Sequence, residues 1–294
     1  DRVLELQAGQ VNNGDGGRIS SAELLSARVS GLDQRDDGQL LSQGSLTLDL
    51  GNGHLNNQGG RLNSPGQLLL SNVGSVDNRG GEISSNLAFL LAATTLDNGR
   101  GKLLSEQALT LRIAGLLDNS KGLVSAPTLD LRAGRLLNLS GSLSAGGGLT
   151  LDVDDTLDNR EGKVLADNAV VRVGSLDNRQ GLVQADSRLD LGGRAALDNR
   201  QGTLYAGQAL ELRGASLDNG GGKLYGKANV TLDLNHGQLD NQAGLINAPG
   251  QLLLRNLGSV DNRGGEISSQ HAFVLAADSL DNRNGKLLGE QDLG

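Results

Sequence analysis

The chain is 294 residues long and 37% hydrophobic but only 1% aromatic, with 45 glycines, no cysteine and a net charge of −8. Without cysteine there is no disulfide, thiolate catalysis or cysteine-based metal site, and the even mixing of acidic and basic residues excludes a nucleic-acid footprint. A core almost without rings must be thin and built from Leu, Val, Ile and Ala, and no apolar run approaches the roughly 18 residues of a membrane-spanning helix.

From one end to the other the chain repeats one unit, an apolar residue followed by Asp or Asn, then Asn, then a glycine. Counted from that apolar residue, the copies open at Val11, Leu32, Leu55, Val76, Leu96, Leu117, Leu137, Leu157, Leu176, Leu197, Leu217, Leu239, Val260 and Leu280, fourteen in all and evenly stepped. A period of about 20 residues marks a solenoid. High glycine and polarity also occur in disordered chains, but those do not hold apolar residues in register over fourteen periods.

The first and second copies are one residue longer between the opening residue and the next apolar position (Gly17/Ile19, Gly38/Leu40), and the seventh reads as one shorter (Gly141/Leu143). The other eleven place glycine at offset +5 and an apolar residue at +7, from Gly60/Leu62 to Gly285/Leu287. In every copy Ser, Ala or Gly stands two positions after that apolar residue, as in Ser21, Ser64, Ala145 and Gly226. Apolar, any, small is a period of two, which puts both residues on one face of a β-strand. A second alternating run follows, as in Leu109-Thr110-Leu111 and Leu210-Glu211-Leu212, and a third leads into the next opening residue. Pro65, Pro127 and Pro249 share offset +10. Proline cannot donate to a ladder, so that offset is a corner, and the glycine at +5 is expected to mark another through a positive φ.

These features predict an all-β chain, a right-handed parallel β-helix of about 14 turns of about 20 residues with three short strands per turn. Residues 1–294 read as a single continuous array. A leucine-rich horseshoe, with its distinct convex side, fits less well because no segment carries helical spacing free of glycine. A longer repeat overlies the short one: Gly74 to Ser85 returns letter for letter as Gly258 to Ser269, nine turns later, with Phe89 and Phe273 at equivalent positions.

Asn occupies offset +2 in twelve copies: Asn13, Asn57, Asn78, Asn98, Asn119, Asn159, Asn178, Asn199, Asn219, Asn241, Asn262 and Asn282. Gln34 and Leu139 take its place in two copies of altered length. Leu at an Asn position places the side chain inward, so a buried Asn ladder is expected, bonded to corner backbone and to the Asn of the next turn; the other possibility is Asn as a left-handed turn residue. Both are structural. Offset +1 is mostly Asp and faces outward, with Arg at +3 (Arg79, Arg160, Arg179, Arg200, Arg263, Arg283) offsetting the repulsion between stacked carboxylates.

Tyr205 and Tyr225, the only tyrosines, share offset +8 in consecutive copies and are expected to stack outward, either as a surface that contacts a sugar or a partner or as a cross-strand pair that stabilises the sheet. His54, His236 and His271 sit at different offsets and cannot converge on a metal. No catalytic constellation stands out, so neither catalytic nor cofactor-binding residues are assigned. A polysaccharide-cleaving β-helix would need loop excursions to wall its cleft, and a period so short and even leaves no room for them. Asn138-Leu139-Ser140 and Asn229-Val230-Thr231 are chance-level glycosylation matches.

The unit Leu157-Asp158-Asn159-Arg160-Glu161-Gly162-Lys163-Val164, and its return as Leu197-Asp198-Asn199-Arg200-Gln201-Gly202-Thr203-Leu204, resembles the haemagglutinin repeats of filamentous haemagglutinin-like two-partner-secreted exoproteins. The resemblance runs over the whole chain. It implies a secreted protein at the bacterial cell surface, exported unfolded through an outer-membrane transporter partner. It also implies a β-helical shaft in an adhesin or a contact-dependent growth inhibition effector, whose other regions meet a cell-surface receptor. Direct adhesion by a face of the β-helix is the alternative. The chain opens on Asp1, contains no Met and stops within a repeat, as expected of a segment of a longer protein. Neither Asp1 to Gln10 nor Gln291 to Gly294 reads as a polar cap, so end-to-end association of the segment is expected.

Overall fold

The computed structural model describes residues 2–271 and 273–289, so the expectation about Gln291 to Gly294 falls outside the described residues. The described residues form strands and turns with no helix, in two compact units, Asp1–Gly146 and Gly147–Gly294. Both are built the same way, as a parallel β-solenoid, and their turns number about 14 in all.

Each turn starts with a four-residue strand. In the first unit these are Arg18–Ser21, Gln39–Ser42, Arg61–Ser64, Glu82–Ser85, Lys102–Ser105, Leu123–Ala126 and Ser142–Ala145. Each pairs in parallel with the equivalent strand one turn away, Ile83 standing between Leu62 and Leu103. The second unit repeats the arrangement from Lys163–Ala166 to Lys286–Gly289. Alternation along these strands buries the apolar and the small residue: Leu62, Ile83 and Leu103 are fully buried. The small residue has its own task, because Ser64 Oγ donates to the Gly44 carbonyl (2.7 Å), Ser85 Oγ to that of Gly66 (3.1 Å) and Ser269 Oγ to that of Gly250 (2.6 Å). Serine here ties each corner to the turn before it. Pro65, Pro127 and Pro249 all lie in the gap that follows, between Arg61–Ser64 and Leu68–Asp77 for example.

The rest of each turn departs from three separate short strands. In many turns the second and third merge into one long strand, such as Ser45–Asn56, Ala108–Asp118, Gly148–Asp158 and Asn229–Asp240. Elsewhere they stay separate, as Phe89–Ala93 and Thr95–Asp97 or Leu189–Gly193 and Ala196–Asp198. Turns therefore hold two to three strands. The bend is taken inside the long strand by bulges, where the register shifts between Ile113 and Leu116, Val153 and Thr156, and Asp49 and Gly53. A bulge turns the chain without ending its ladder. Some bends need a positive φ, carried by Gly51 and Asn52 in Ser45–Asn56, Asn72 in Leu68–Asp77, Asn235 and His236 in Asn229–Asp240 and Asn256 in Leu252–Asp261, whereas those after Ile113 and Val153 do without one.

Glycine at +5 proves to be needed for a different reason from the one expected. Positive φ falls one residue earlier, on Arg100 (59°), Lys121 (59°), Glu161 (57°), Gln201 (57°) or Gly80 (64°), and not on the +5 glycines. What excludes a side chain at Gly101 is space: a Cβ would run into the backbone carbonyl of Asn78 and sit 2.7 Å from Asn98 Oδ1. The same collision recurs at Gly122, Gly181, Gly202, Gly222, Gly244 and Gly265. Gly101→Ala is thus expected to cost about 1–3 kcal/mol through overpacking, and Gly80→Asn, with open space at its Cβ and a side chain that tolerates the left-handed region, to stay within about 0.5 kcal/mol. Urea denaturation of the two variants checks this; equal losses would contradict the packing origin.

Candidate functional site

Three columns of polar side chains follow from this register, one inside each unit and two on its surface. Offset +2 lies beside the buried opening residue, and the backbone there leaves the strand for the corner. Asn57, Asn78, Asn98, Asn119, Asn159, Asn178, Asn199, Asn219, Asn241 and Asn262 are fully buried. In the first unit Nδ2 of Asn57 donates to Oδ1 of Asn78 (2.6 Å), Asn78 to Asn98 (2.7 Å) and Asn98 to Asn119 (2.7 Å). In the second unit the chain of amides runs from Asn159 through Asn178, Asn199, Asn219, Asn241 and Asn262 to Asn282, every step at 2.7 Å. The second Nδ2 proton goes to backbone: Asn78 donates to the Lys102 carbonyl at 3.1 Å. Because each amide points the same way, neighbours polarise one another and the chain strengthens as it lengthens.

The exceptions to the column differ from expectation in one turn. Leu139 does not occupy the Asn position. Leu136 is the buried residue paired with Leu117, Leu137 pairs with Asp118, and Asn138 is fully buried and accepts from Asn119 at 2.8 Å. The seventh copy therefore opens one residue earlier, and its glycine, Gly141, falls at +5 like the others. The double leucine Leu136-Leu137 concealed this; the spacing to Gly141 was the signal that could have revealed it. Gln34 does take the Asn place, in a corner lengthened by a second residue of positive φ (Asp36 and Asp37), and its Nε2 donates to Asn57 Oδ1. Its Oε1 is buried without a partner. Asn13, in the other lengthened corner, donates instead to the Gln39 carbonyl at 2.9 Å.

The Asp at +1 is half-buried in most turns and closes the corner, its Oδ1 accepting the backbone N–H two residues on, as Asp77 does from Arg79 (3.1 Å) and Asp118 from Ser120 (2.8 Å). At Arg79, Arg160, Arg179, Arg200 and Arg263 the guanidinium forks onto the Asp of its own turn and reaches the Asp of the next. Arg160 holds Asp158 at 2.7 Å and Asp177 at 3.5 Å, and Arg179 holds Asp177 at 2.7 Å and Asp198 at 3.6 Å. This rail stops at Asp97, where Gly99 replaces the arginine. Burial, with Asp118 and Asp77 nearby, pushes the Asp97 carboxyl above its usual value. Burial also pushes Asp177 and Asp77 up, but hydrogen bonds from Arg179 and Arg79 outweigh it and leave both below the usual range. Hydrogen bonding from Arg283 takes Asp281 down to about 2. A carboxylate lowered in the folded state stabilises above its unfolded pKa of about 3.9 and loses that contribution as pH falls through the folded value. Asp97 works in the opposite sense. The lowered group also includes Asp49, Asp190, Asp233 and Asp261. Urea midpoints are therefore expected to be flat near neutrality and to fall between about pH 4 and pH 2; midpoints that rise on acidification through that window would contradict the rail.

On the outer face of the short strands Tyr205 and Tyr225 stand directly opposite each other, in Thr203–Ala206 and Lys223–Gly226. Their rings stack with centroids 5.7 Å apart and planes 14° from parallel. Each ring turns one face to the other, and the next residues in register are Gln184 and Asn247. The histidines are dispersed: His54 Nδ1 lies 2.8 Å from Ser75 Oγ, His271 Nδ1 donates to the Pro249 carbonyl, and His236 sits at a bend. Among the described residues no three His, Asp or Glu side chains are grouped to hold a metal.

The haemagglutinin-repeat family model matches residues 2–52, 41–121, 108–161, 164–264 and 231–294. No curated protein and no solved structure matches the chain.

Proposed function

We propose, because this chain belongs to the haemagglutinin-repeat family, that it is the structural shaft of a large secreted bacterial surface exoprotein. The shaft carries a receptor-binding or toxin region away from the cell, in adhesion or contact-dependent growth inhibition. The observation that supports this most is uniformity. Each described turn spends its residues on the ladder, the corners and the Asn column, with bulges as its only excursions, and no turn spares a loop long enough to wall a substrate cleft. The role is mechanical and not enzymatic.

The family also supports export through an outer-membrane transporter partner. A chain with no cysteine forms no disulfide before export that would block threading, and the +2 Asn side chains, which cost free energy when buried alone, are satisfied only once turns stack. The receptor then meets other regions of the exoprotein.

Direct adhesion through Tyr205 and Tyr225 is the second reading. A sugar-stacking platform needs free ring faces, and here one face of each ring is turned to its neighbour, so the pair offers less ring surface than two separate tyrosines would.

The repeated segment provides the test. Joining Ser75 to Val260 within the exoprotein removes everything from Val76 to Ser259, nine turns, and keeps the junction Gly-Ser-Val-Asp-Asn found on both sides. Since solenoid stability is close to a sum over turns and their interfaces, the shortened array should still fold. Under the shaft reading, affinity of the purified protein for target cells is unchanged while attachment between cells weakens. A large loss of affinity, with Tyr205 and Tyr225 gone, would favour direct adhesion.

A further inference from the structure

The chain has no Cys, no Met and no Trp, and only two Tyr. Of the side chains that lose a single electron readily it therefore keeps only these two phenols, and the fold sets them side by side. Tyr205 and Tyr225 occupy matching positions of neighbouring strands, and their register is locked from both flanks, Leu204 opposite Leu224, each fully buried, and Ala206 opposite Gly226. A slip of one residue would drive leucines into solvent. The rings are half-buried on the outer face, stacked at 5.7 Å and 14°, and the residues next in register, Gln184 and Asn247, do not compete for an electron hole.

We propose that this pair is an oxidative cross-linking site, at which a peroxide and a peroxidase join Tyr205 to Tyr225 as an intramolecular dityrosine. Each phenol gives up one electron and one proton and becomes a phenoxyl radical. The two radicals couple through a new carbon–carbon bond between ring positions ortho to the oxygens, and loss of those two ring hydrogens to the oxygens restores both phenols. The net change is removal of two hydrogen atoms, taken up by one hydrogen peroxide to give two waters. Coupling between free tyrosyl radicals depends on diffusional encounter; here the second ring is already in place, so the step is effectively unimolecular. The rings need only tilt out of their near-parallel stack to bring the ortho carbons together, and their outward position leaves room for it. The product is a covalent staple between consecutive turns, in a chain that has no disulfide to do the same.

The test uses the full chain with hydrogen peroxide and a haem peroxidase. After proteolysis of the monomer band, mass spectrometry should find the Tyr205 peptide joined to the Tyr225 peptide, lighter than their sum by two hydrogen atoms, with the blue fluorescence of a biphenol. The yield should not change on dilution, and Tyr225→Phe, which keeps the stacked ring and the fold as monitored by circular dichroism, should abolish the monomeric product. Dityrosine found chiefly in covalent dimers, a yield that falls in proportion to protein concentration, or hydroxylated tyrosines without any linked peptide would each overturn the proposal.

Discussion

A buried primary amide has two protons and two lone pairs to satisfy, and in each unit a single column of asparagines meets most of that demand by stacking at the repeat of the ladder. The 2.7 Å Nδ2-to-Oδ1 contacts hold only if successive turns keep the same corner at the same height. Much else follows from that requirement. The opening residue must be apolar because it shares the inner face with the amide, the corner must be short because Nδ2 also reaches the backbone of the next turn, and the residue at +5 must be glycine because the preceding turn's Asn carbonyl occupies the place of its Cβ. The residue before that glycine then takes the positive φ, with Arg100, Lys121 or Gln201 tolerating a cost of order 1 kcal/mol.

The outer columns are weaker and more varied, as a surface ladder can be. The Asp-Arg rail spans Asp77 to Asp97, Asp158 to Asp218 and Asp261 to Asp281, and lapses at Gly99 without any break in the strands. Exposed ion pairs contribute little individually, so the rail tunes the pH response and relieves repulsion between stacked carboxylates, while the amide column and the apolar interior hold the turns. Among the described residues the ladder, the corners and the amide column recur from turn to turn with little change. Among the described residues the tyrosine pair is the one place where the short-strand face presents two aromatic rings in contact.

Much of the fold was legible in the sequence, because an inner face, a small residue and a corner each leave a mark at a fixed offset in most of the fourteen copies. The parallel coil and the proline corner could be argued from spacing alone; the inward Asn was expected correctly, but the leucine taken to support it, Leu139, does not stand at the Asn position. Other features lacked such a mark. A strand that bends through a bulge and two strands separated by a bend share one alternation, so Ser45–Asn56 and the pair Phe89–Ala93 and Thr95–Asp97 look alike as sequences. Glycine signals both a positive φ and a lack of space, and only the neighbouring turn's backbone distinguishes them at Gly101. In the seventh copy two adjacent leucines made the frame ambiguous, and burial decides for Leu136. The tyrosines were predicted to pair, but which way their rings face depends on side-chain rotation that no spacing encodes.

The central role of the amide column is tested most directly by the unfolding free energy of Asn178→Ala. That substitution removes the acceptor for Asn159 and the donor to Asn199 Oδ1, both buried, and the donor to the half-buried Thr203 carbonyl. A loss of about 1–3 kcal/mol is the expected result, the cost of buried groups left without partners. A loss below about 0.5 kcal/mol, the size of an ordinary surface change, would contradict it and return the register to apolar packing alone.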